Sequence, residues 1–368
     1  MAKVYLKGIP ANSERAKLKS GIKQICLEAT EDLSWLKPGE NVLLKPALNS
    51  SDPYPSTTNP LSLEAVAELI EDRGGKVIIG DQSGIEHVVQ DETGVLRGDT
   101  AEIFNQSGMG GKRSWDFQAF EKGDWKQGFV KYGDAPSWPD GFYFAKPVAQ
   151  ADHIINLPRL STHGQAGVTL GFKNMVGILR EDSRAIFHSN GPFHSFFKRA
   201  AKGSHVKNLH DKQKKFFEKI VEISLATQSK LRLTLFTGTK AQLTFGPDKY
   251  ISRRGGKGFL RAYQSIPKTG LVFASSDQVA AEAMAIAFMI HLYSHVPFGA
   301  KLWQKLLIFF NGQINELGQE SVRENPFVKY AIKAGLGSSD MQIKDFDVPH
   351  DLLSSLEYKI KKNANNFI

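Results

Sequence analysis

The chain has 368 residues, of which 41% are hydrophobic and 23% charged, and its 47 Lys and Arg against 38 Asp and Glu give a net charge of +9. Its 24 Phe, 9 Tyr and 5 Trp supply enough apolar surface for a large core, which excludes a disordered chain. The single cysteine, Cys26, excludes a disulfide framework, a four-cysteine zinc site and a cysteine-ligated iron–sulfur cluster.

The distribution of charged and apolar residues along the chain indicates which classes of partner to expect. Basic residues are scattered along the chain, whereas nucleic-acid binders concentrate them on one face or arm. This distribution argues against a nucleic-acid partner and favours a small anionic molecule or a plainly solvated surface. The longest apolar run, residues 283–290, is far shorter than the roughly 20 residues of a membrane span. The first ten residues show no export signal, so we expect a cytoplasmic protein without a membrane partner.

The first clear structural unit is strand, helix, strand. Residues 41–45 and 76–81 are short apolar runs typical of buried strands. Between them, Asn59 and Pro60 predict a helix start, apolar residues recur with helical spacing, and the Gly pair at 74–75 predicts the helix end. This unit predicts parallel strands joined by a right-handed crossover.

The remaining elements are spaced unevenly along the chain. Residues 94–141 are rich in turns and have weak periodicity, which indicates short strands and loops rather than a separate domain. An Asp at position 277 predicts the cap of a later helix. The pattern predicts strands over 153–157, 231–237 and 270–274, and helices over 206–226, 278–292, 301–313 and 352–360.

Together these elements predict an α/β fold with a mostly parallel sheet flanked by helices, a second smaller α/β domain and a helical C-terminal tail. We expect the boundary between the helix that ends near 226 and the strand that starts at 231. The predicted parts are therefore an N-terminal α/β domain of residues 1–228 and a smaller domain of residues 229–368.

Polar residues follow three of the predicted strands at the point where each strand ends. Lys45 closes the first strand, Asp81 the second, and Arg159 and His163 follow the third. Ligands of open parallel sheets bind beyond the carboxyl ends of the strands, so these side chains are expected at one rim. Each of them, taken alone, is equally compatible with an ordinary polar residue at a strand end.

The densest group of chemically useful residues is a glycine-rich segment, residues 160–177. Its glycines permit close approach of the backbone to a ligand, although a solvated surface loop is the plainer alternative. Apolar residues alternate with the polar ones, which favours a binding site. The candidates on and just after this segment are His163, Thr169, Lys173, Asn174, Arg184 and His188.

Taken in order, several short motifs resemble the domain of unknown function 362 family. The resemblance covers roughly residues 40–295 and implies the α/β fold more firmly than an activity. Two departures are visible: Ser161 stands where the family usually has a Lys, and the ferredoxin-like segment of many members is excluded by the single cysteine. The matching segments are 42–46, 58–60, 77–81, 154–158, 162–163, 173–177, 184–188 and 274–280.

A second, shorter segment of the chain is similar to nickel-pincer lactate racemases. It consists of His163, then Lys173 ten residues later, then His188, with a glycine-rich stretch between the first two. The resemblance implies that the first His is an acid/base, that the Lys tethers a nickel-pincer cofactor covalently, and that the later His ligates nickel. His87 is a candidate for the second catalytic His of such enzymes.

The leading hypothesis is an enzyme, a racemase or epimerase or an oxidoreductase, that acts on a small carboxylate in an interdomain cleft. The alternative is a non-catalytic protein that binds or delivers a divalent metal or an anionic cofactor with the same residues. The expected catalytic residues are His163, Lys173 and Asp81, the expected anion-binding residues are Lys45, Arg159, Thr169, Asn174 and Arg184, and the expected metal ligand is His188.

Overall fold

A computed structural model of the chain describes residues 1–110, 115–189, 194–211, 213–250, 253–254, 257–258, 261–310, 317 and 321–361. For residues 194–196, 253–254, 257–258, 303 and 307–310 it describes the backbone only.

The described strands are β1 (Ala2–Pro10), β2 (Asn41–Pro46), β3 (Lys76–Asp81), β4 (Val89–Asp91), β5 (Gly94–Arg97), β6 (Phe117–Ala119), β7 (Phe129–Tyr132), β8 (Phe142–Ala145), β9 (His153–Leu157), β10 (Ser161–His163), β11 (Gly167–Thr169), β12 (Leu231–Gly238), β13 (Ala241–Leu243), β14 (Arg253–Arg254), β15 (Lys257–Gly258), β16 (Tyr263–Ser265), β17 (Thr269–Ser275) and β18 (Met341–Phe346).

The described α-helices are α1 (Arg15–Thr30), α2 (Pro60–Asp72), α3 (Thr100–Gln106), α4 (Lys146–Gln150), α5 (Gly171–Asn174), α6 (Glu181–His188), α7 (His194–Ala200), α8 (Phe216–Glu222), α9 (Gln278–Ser294), α10 (Phe298–Phe310), α11 (Pro326–Lys333) and α12 (His350–Lys361). Short 3-10 helices cover Phe120–Lys122, Met175–Ile178, His205–Asn208 and Ile223–Ala226.

The main sheet, within the described residues, has eight strands in the order β18-β1-β17-β12-β9-β2-β3-β6. All neighbouring pairs are parallel except the two that involve β17, which runs against both β1 and β12. Helices flank this sheet, so the predicted α/β class with a mostly parallel sheet is confirmed. A smaller sheet, β11-β10-β13-β16, carries the start of the glycine-rich segment.

The first predicted unit forms β2, α2 and β3, with the expected parallel pairing of β2 and β3. Asn59 caps α2 by accepting from the Leu61 backbone N–H at 2.9 Å, and Pro60 occupies the first turn. Asp277 caps α9 in the same way, through the Ala280 N–H at 2.9 Å. The local signals in the sequence therefore placed both helix starts.

The main sheet separates two apolar cores. Alternate strand residues face opposite sides, so Val42 and Leu44 of β2 pack in the core under α1 and α2, whereas Leu43 packs with α9. Cys26 of α1 lies in the first core, and burial raises the pKa of its thiol to about 12, so it acts as a small apolar side chain.

The predicted helix over 206–226 is wrong as a single element. The chain there forms the 3-10 helix His205–Asn208, then α8, then the 3-10 helix Ile223–Ala226. Lys214 has a φ of 53°, a left-handed conformation that cannot continue a right-handed helix. Neither β1 nor α1 was predicted, whereas residues 94–110 and 115–141, the described part of the turn-rich stretch, form short elements as expected.

The predicted division after residue 228 falls just before β12. β12 pairs with β9 on one side and with β17 on the other, so strands from both predicted parts share the main sheet. The division into domains of residues 1–228 and 229–368 therefore stays a prediction. The main sheet is continuous across the proposed boundary.

Among the described residues, no single helix combines the length and apolarity needed to cross a bilayer. By length and composition alone, the pair Gln278–Ser294 and Phe298–Leu306 passes that test together, with a bend of 114° between its members.

Candidate functional site

The candidate site lies at the carboxyl edge of β9, β2 and β3, which are neighbours in the main sheet. β2 delivers Lys45 and β3 ends at Asp81, while Arg159 follows β9 and leads into β10, which ends at His163. The parallel pairing places these strand ends side by side, as the strand-end rule predicts.

Lys45 and Asp81 form a buried ion pair. The Lys45 Nζ lies 2.8 Å from Asp81 Oδ1 and also donates to the Pro46 carbonyl at 2.7 Å and to Asn174 Oδ1 at 3.3 Å. Burial lowers the pKa of Lys45 and raises that of Asp81, and their mutual attraction opposes both shifts. All three donors of the ammonium group are thus directed at protein acceptors.

The ion pair of Lys45 and Asp81 explains why residue 177 is a glycine. A Cβ at Gly177 would lie 2.0 Å from Asp81 Oδ1 and 3.0 Å from Lys45 Nζ. Only glycine lets this segment pass so close to the ion pair. Asp81 also accepts from the Leu48 N–H at 2.9 Å and from the Gln82 N–H at 2.8 Å, so its carboxylate is firmly oriented.

Asn174 fixes the short helix α5 to the sheet. Its Nδ2 donates to Asn156 Oδ1 at 2.7 Å and to the Lys45 carbonyl at 3.2 Å. Asn156 in turn donates to the Gly171 carbonyl at 3.0 Å. Because the Asn174 amide is engaged on both sides, it positions its neighbour Lys173 with little freedom.

Lys173 is 9% exposed. Its Nζ lies 5.8 Å from the centroid of the Phe187 ring and makes no hydrogen bond or ion pair with the residues that the structure describes. Burial, together with the charges of Arg184 and Arg159, lowers the pKa of Lys173 to about 7. A large fraction of this amine is therefore neutral and nucleophilic at neutral pH.

Reductive methylation tests this lowered pKa directly. An unperturbed lysine titrates near 10.4, so at pH 7.5 the neutral fraction of Lys173 is expected to be several hundred-fold larger than that of an ordinary lysine. Labelling rates are measured by peptide mass spectrometry from pH 5 to 10, with the exposed Lys202 as reference and the buried, ion-paired Lys219 as matched control. A Lys173 rate that tracks that of Lys202 across the series contradicts the assignment.

The two histidines of the site are held in complementary tautomers. His163 Nδ1 accepts from the backbone N–H groups of Gln165 and Ala166, both at 3.2 Å, so the proton of the neutral ring lies on Nε2. His188 Nδ1 lies 2.8 Å from the Arg184 carbonyl and must donate, which leaves its Nε2 unprotonated. One ring therefore offers a donor at Nε2 and the other an acceptor.

Both histidines stay neutral near pH 7. Burial lowers the pKa of His163 well below its usual value, and the charges of Lys173, His188 and Arg159 lower it further. Burial and the Lys173 charge have the same effect on His188, against the opposing hydrogen bond to the Arg184 carbonyl. His163 therefore lies close enough to Lys173, His188 and Arg159 for their charges to affect its pKa.

Two buried guanidinium groups complete the cationic cluster. Arg159 is 2% exposed, and its Nε and Nη1 have no hydrogen-bond partner among the described residues. Burial lowers the pKa of Arg159 to about 10, opposed by the carboxylates of Asp248, Asp52 and Asp81, so it remains charged. A buried charged donor without an acceptor is costly, and an anionic ligand would supply the missing acceptors.

Arg184 is anchored and also partly unsatisfied. Its Nη2 donates to the Ser83 carbonyl at 2.9 Å and its Nη1 lies 3.5 Å from Glu181 Oε2, while Nε has no partner among the described residues. Thr169, the remaining predicted anion-binding residue, lies on β11, pairs in register with Ser161 and is partly buried.

Sequence reasoning missed two buried acids beside this cluster. Burial raises the pKa of Glu181 to about 7, opposed by Arg184, and that of Glu282 to about 8, opposed by the backbone N–H groups of Phe172 and Gly171. Glu282 Oε2 accepts from the Phe172 N–H at 3.2 Å. The sequence feature that could have identified Glu282 is that it is the one acidic residue within the apolar sequence of α9.

A second group of possible metal ligands involves His87. Its Nε2 lies 2.8 Å from Asp248 Oδ2, and ligand atoms of Glu86, His87 and Asp248 all lie within 4.8 Å of one another. Asn49 donates to the other Asp248 oxygen. The Asp248 charge also acts on Arg159, so this group borders the cationic cluster.

The fold and the site thus define an α/β protein with a buried cluster of cationic side chains at the carboxyl edge of its sheet. The sequence profile of the family described as Domain of unknown function (DUF362) matches residues 42–287. The chain belongs to this family, as the short motifs predicted.

Two individual proteins are similar to parts of the chain. The thylakoid-associated protein sll1697 of Synechocystis sp. (strain ATCC 27184 / PCC 6803 / Kazusa) is 29% identical over 160 residues, which are 42% of this chain and 44% of that relative, so the match spans less than half of the relative's length. The lactate racemase apoprotein from Thermoanaerobacterium thermosaccharolyticum superimposes with a TM-score of 0.38 and 14% identity, over 71% of this chain and 54% of that protein.

Proposed function

We propose that this protein is an enzyme that binds a small organic carboxylate at the cluster of Arg159, His163, Lys173, Arg184 and His188 and catalyses acid–base chemistry on it. The observation that carries the proposal is the Arg159 guanidinium, which is 2% exposed and has Nε and Nη1 unpaired among the described residues. A carboxylate fits such a fork with two parallel charge-assisted hydrogen bonds.

Each member of the cluster has a distinct part in this proposal. Arg159 and Arg184 bind the carboxylate, and Thr169 lies on the neighbouring strand as a further polar contact. The His163 Nε2–H donates to a second substrate oxygen, and the neutral Lys173 amine takes up or returns a proton. Lys45, Asp81 and Asn174, whose groups are already engaged with one another, position α5 and the strand ends, and do not contact the substrate.

The reaction class we propose within this frame is racemisation or epimerisation at a carbon that bears a hydroxyl group. The residues fit the nickel-pincer group that the sequence resemblance implies, since Lys173 offers an unpaired amine and His188 an unprotonated Nε2 that is oriented through its Nδ1–H. Lys173 would hold the group covalently and His188 its metal; when bound, the group supplies reversible hydride acceptance. In this form Lys173 is the tether and not the proton acceptor, so the proton of the substrate hydroxyl would pass to His87, whose Nε2 contacts Asp248, while the His163 Nε2–H donates to the same substrate oxygen.

The first test is mass spectrometry of the protein purified from its own host. Native and denatured masses are compared, and peptides across Lys173 are mapped. A covalent adduct on Lys173 together with a bound metal supports the pincer form of the proposal. An unmodified Lys173 in a metal-free chain that still turns over a carboxylate contradicts that form and leaves the simpler acid–base proposal.

Binding of the carboxylate has its own prediction. Loss of the Arg159 hydrogen bonds in Arg159→Gln should weaken binding of a 2-hydroxy acid about 10- to 100-fold, since bonds to charged groups contribute roughly 1.5–3 kcal/mol. Isothermal titration calorimetry compares the acid with the matching neutral diol, and Arg73→Gln, at an exposed position, is the control. Equal affinity of the acid for wild type and Arg159→Gln would exclude the assigned site.

One observation favours a second function, non-catalytic binding of a divalent metal or an anionic cofactor. Glu86, His87 and Asp248 offer two carboxylates and an imidazole within 4.8 Å, a donor set suited to Mn²⁺, Zn²⁺ or Ni²⁺. Asp248→Asn should then weaken metal binding at least tenfold in calorimetry, with the exposed Asp340→Asn as control. Stoichiometric metal binding without turnover of any hydroxy acid favours this function over the enzyme.

We also propose a cytoplasmic location. Its support is the lone, deeply buried Cys26, since chains that stay in a reducing compartment have no need of disulfides. Fractionation of the native host, followed by immunodetection, tests it.

A further inference from the structure

Helix α10 presents a stripe of apolar side chains to solvent. Phe298, Leu302 and Leu306 are 74%, 44% and 39% exposed. They are spaced four residues apart and so lie on one face of the helix. Gln304, on the other side, is buried and accepts from the Tyr293 hydroxyl at 2.9 Å, so the helix contacts α9 through the side that carries Gln304.

Cationic side chains border this stripe. Lys301 and Lys305 each precede a leucine of the stripe by one residue, which places them along one edge of it. Lys305 is exposed, and Lys301 Nζ donates to the Ser294 carbonyl at 3.3 Å at the start of the helix. The helix sequence FGAKLWQKLLIFF contains no acidic residue, so the face as a whole is apolar and positive.

We propose that α10 lies in the headgroup region of a bilayer that contains anionic lipids. Phe298, Leu302 and Leu306 enter the upper acyl region, while Lys305 extends to lipid phosphates. Lys301, whose ammonium group donates to the Ser294 carbonyl, adds positive charge beside the stripe. The chain carries a net charge of +9, which strengthens attraction to an anionic surface. This mode of attachment requires no membrane span, and it differs from the sequence expectation of no membrane partner, which stays a prediction.

A second copy of the chain fits the stripe less well. Three partly exposed side chains in a single row fall far short of the roughly 800 Å² that each partner buries in a stable dimer. An anionic surface also matches the two lysines, whereas a second copy would bring the same positive charges into the contact.

Vesicle flotation of the full chain tests the proposal. Vesicles of phosphatidylcholine with 30% phosphatidylglycerol are compared with pure phosphatidylcholine at roughly 50 and 300 mM salt, concentrations across which electrostatic screening changes strongly. The stripe variant is Phe298→Ser/Leu302→Gln/Leu306→Gln and the charge variant Lys301→Gln/Lys305→Gln. The matched control changes three exposed apolar residues elsewhere, Val95→Thr/Leu96→Gln/Ile266→Gln.

Wild type and control are expected to float with the anionic vesicles with affinities within twofold of each other. The stripe variant should bind at least tenfold more weakly, and the charge variant and high salt should each cost severalfold. Thermal unfolding followed by circular dichroism verifies that all variants fold. No flotation of wild type, equal loss in the control, or a wild-type dimer that the stripe variant dissociates in analytical ultracentrifugation would each overturn the proposal.

Discussion

Lys45→Met is expected to lower the free energy of unfolding by about 3–5 kcal/mol, because it leaves the Asp81 charge buried without its partner. Both side chains are almost completely inaccessible to solvent, and among the described residues Asp81 then retains the backbone N–H groups of Leu48 and Gln82 as its partners. Chemical denaturation at 25 °C and pH 7 measures the change.

The double variant Lys45→Met/Asp81→Asn distinguishes the effect of an unpaired buried charge from the effect of lost packing contacts. Removing both charges should restore much of the stability lost in Lys45→Met, because no buried charge remains uncompensated. The exposed pair Lys122 and Asp99, 2.7 Å apart, provides the control, and Lys122→Met should cost less than about 1 kcal/mol. If Lys45→Met costs no more than Lys122→Met, the pair is not the structural anchor described above.

Glu282→Gln should remove a large part of the pH dependence of stability. The folded-state pKa of Glu282 is about 8 against an ordinary value of 4.5, so the folded protein binds the extra proton between these values. The stability that this protonated side chain contributes is fully present below pH 4.5 and is lost as the pH rises through 8. Between pH 5 and 9 this loss amounts to about 4 kcal/mol.

The measurement compares the unfolding free energies of wild type and Glu282→Gln across that pH range. The neutral amide can occupy the same space, so the variant should approach wild type at pH 5 and exceed its stability at pH 9. Glu28→Gln, at an exposed position of α1, is the matched control and should leave the wild-type profile unchanged. Parallel profiles for wild type and Glu282→Gln would show that Glu282 is ionised in the folded protein at neutral pH.

The elements that sequence predicted well are those whose signals are local. β9 was predicted over its exact extent, and the caps at Asn59 and Asp277 placed the starts of α2 and α9. The strand-end rule also brought Lys45 and Asp81 to one edge, although their direct contact leaves them as partners of each other. Local spacing and the general geometry of parallel sheets suffice for these features.

The features that sequence did not predict depend on long-range contacts. His87 meets Asp248 across 161 positions of the chain, and Phe172 meets Glu282 across 110. The hydrophobic periodicity of the sequence does not indicate such pairs, because each residue is locally compatible with a solvated surface or an ordinary helix. The tautomers of His163 and His188 likewise follow from backbone partners that only the folded chain supplies.

The position of β1 has a consequence for synthesis on the ribosome. Its partners are β17 and β18, and β17 emerges about 260 residues after β1, which at ordinary translation rates is a delay of roughly 15–50 s. α1 follows at once and can cover the Ile9 side, but Val4 and Leu6 face the opposite core, which α9 completes later still. A nascent chain thus carries β1 as an unpaired apolar strand until β17 has been synthesised, and self-association of incomplete chains is expected to start there.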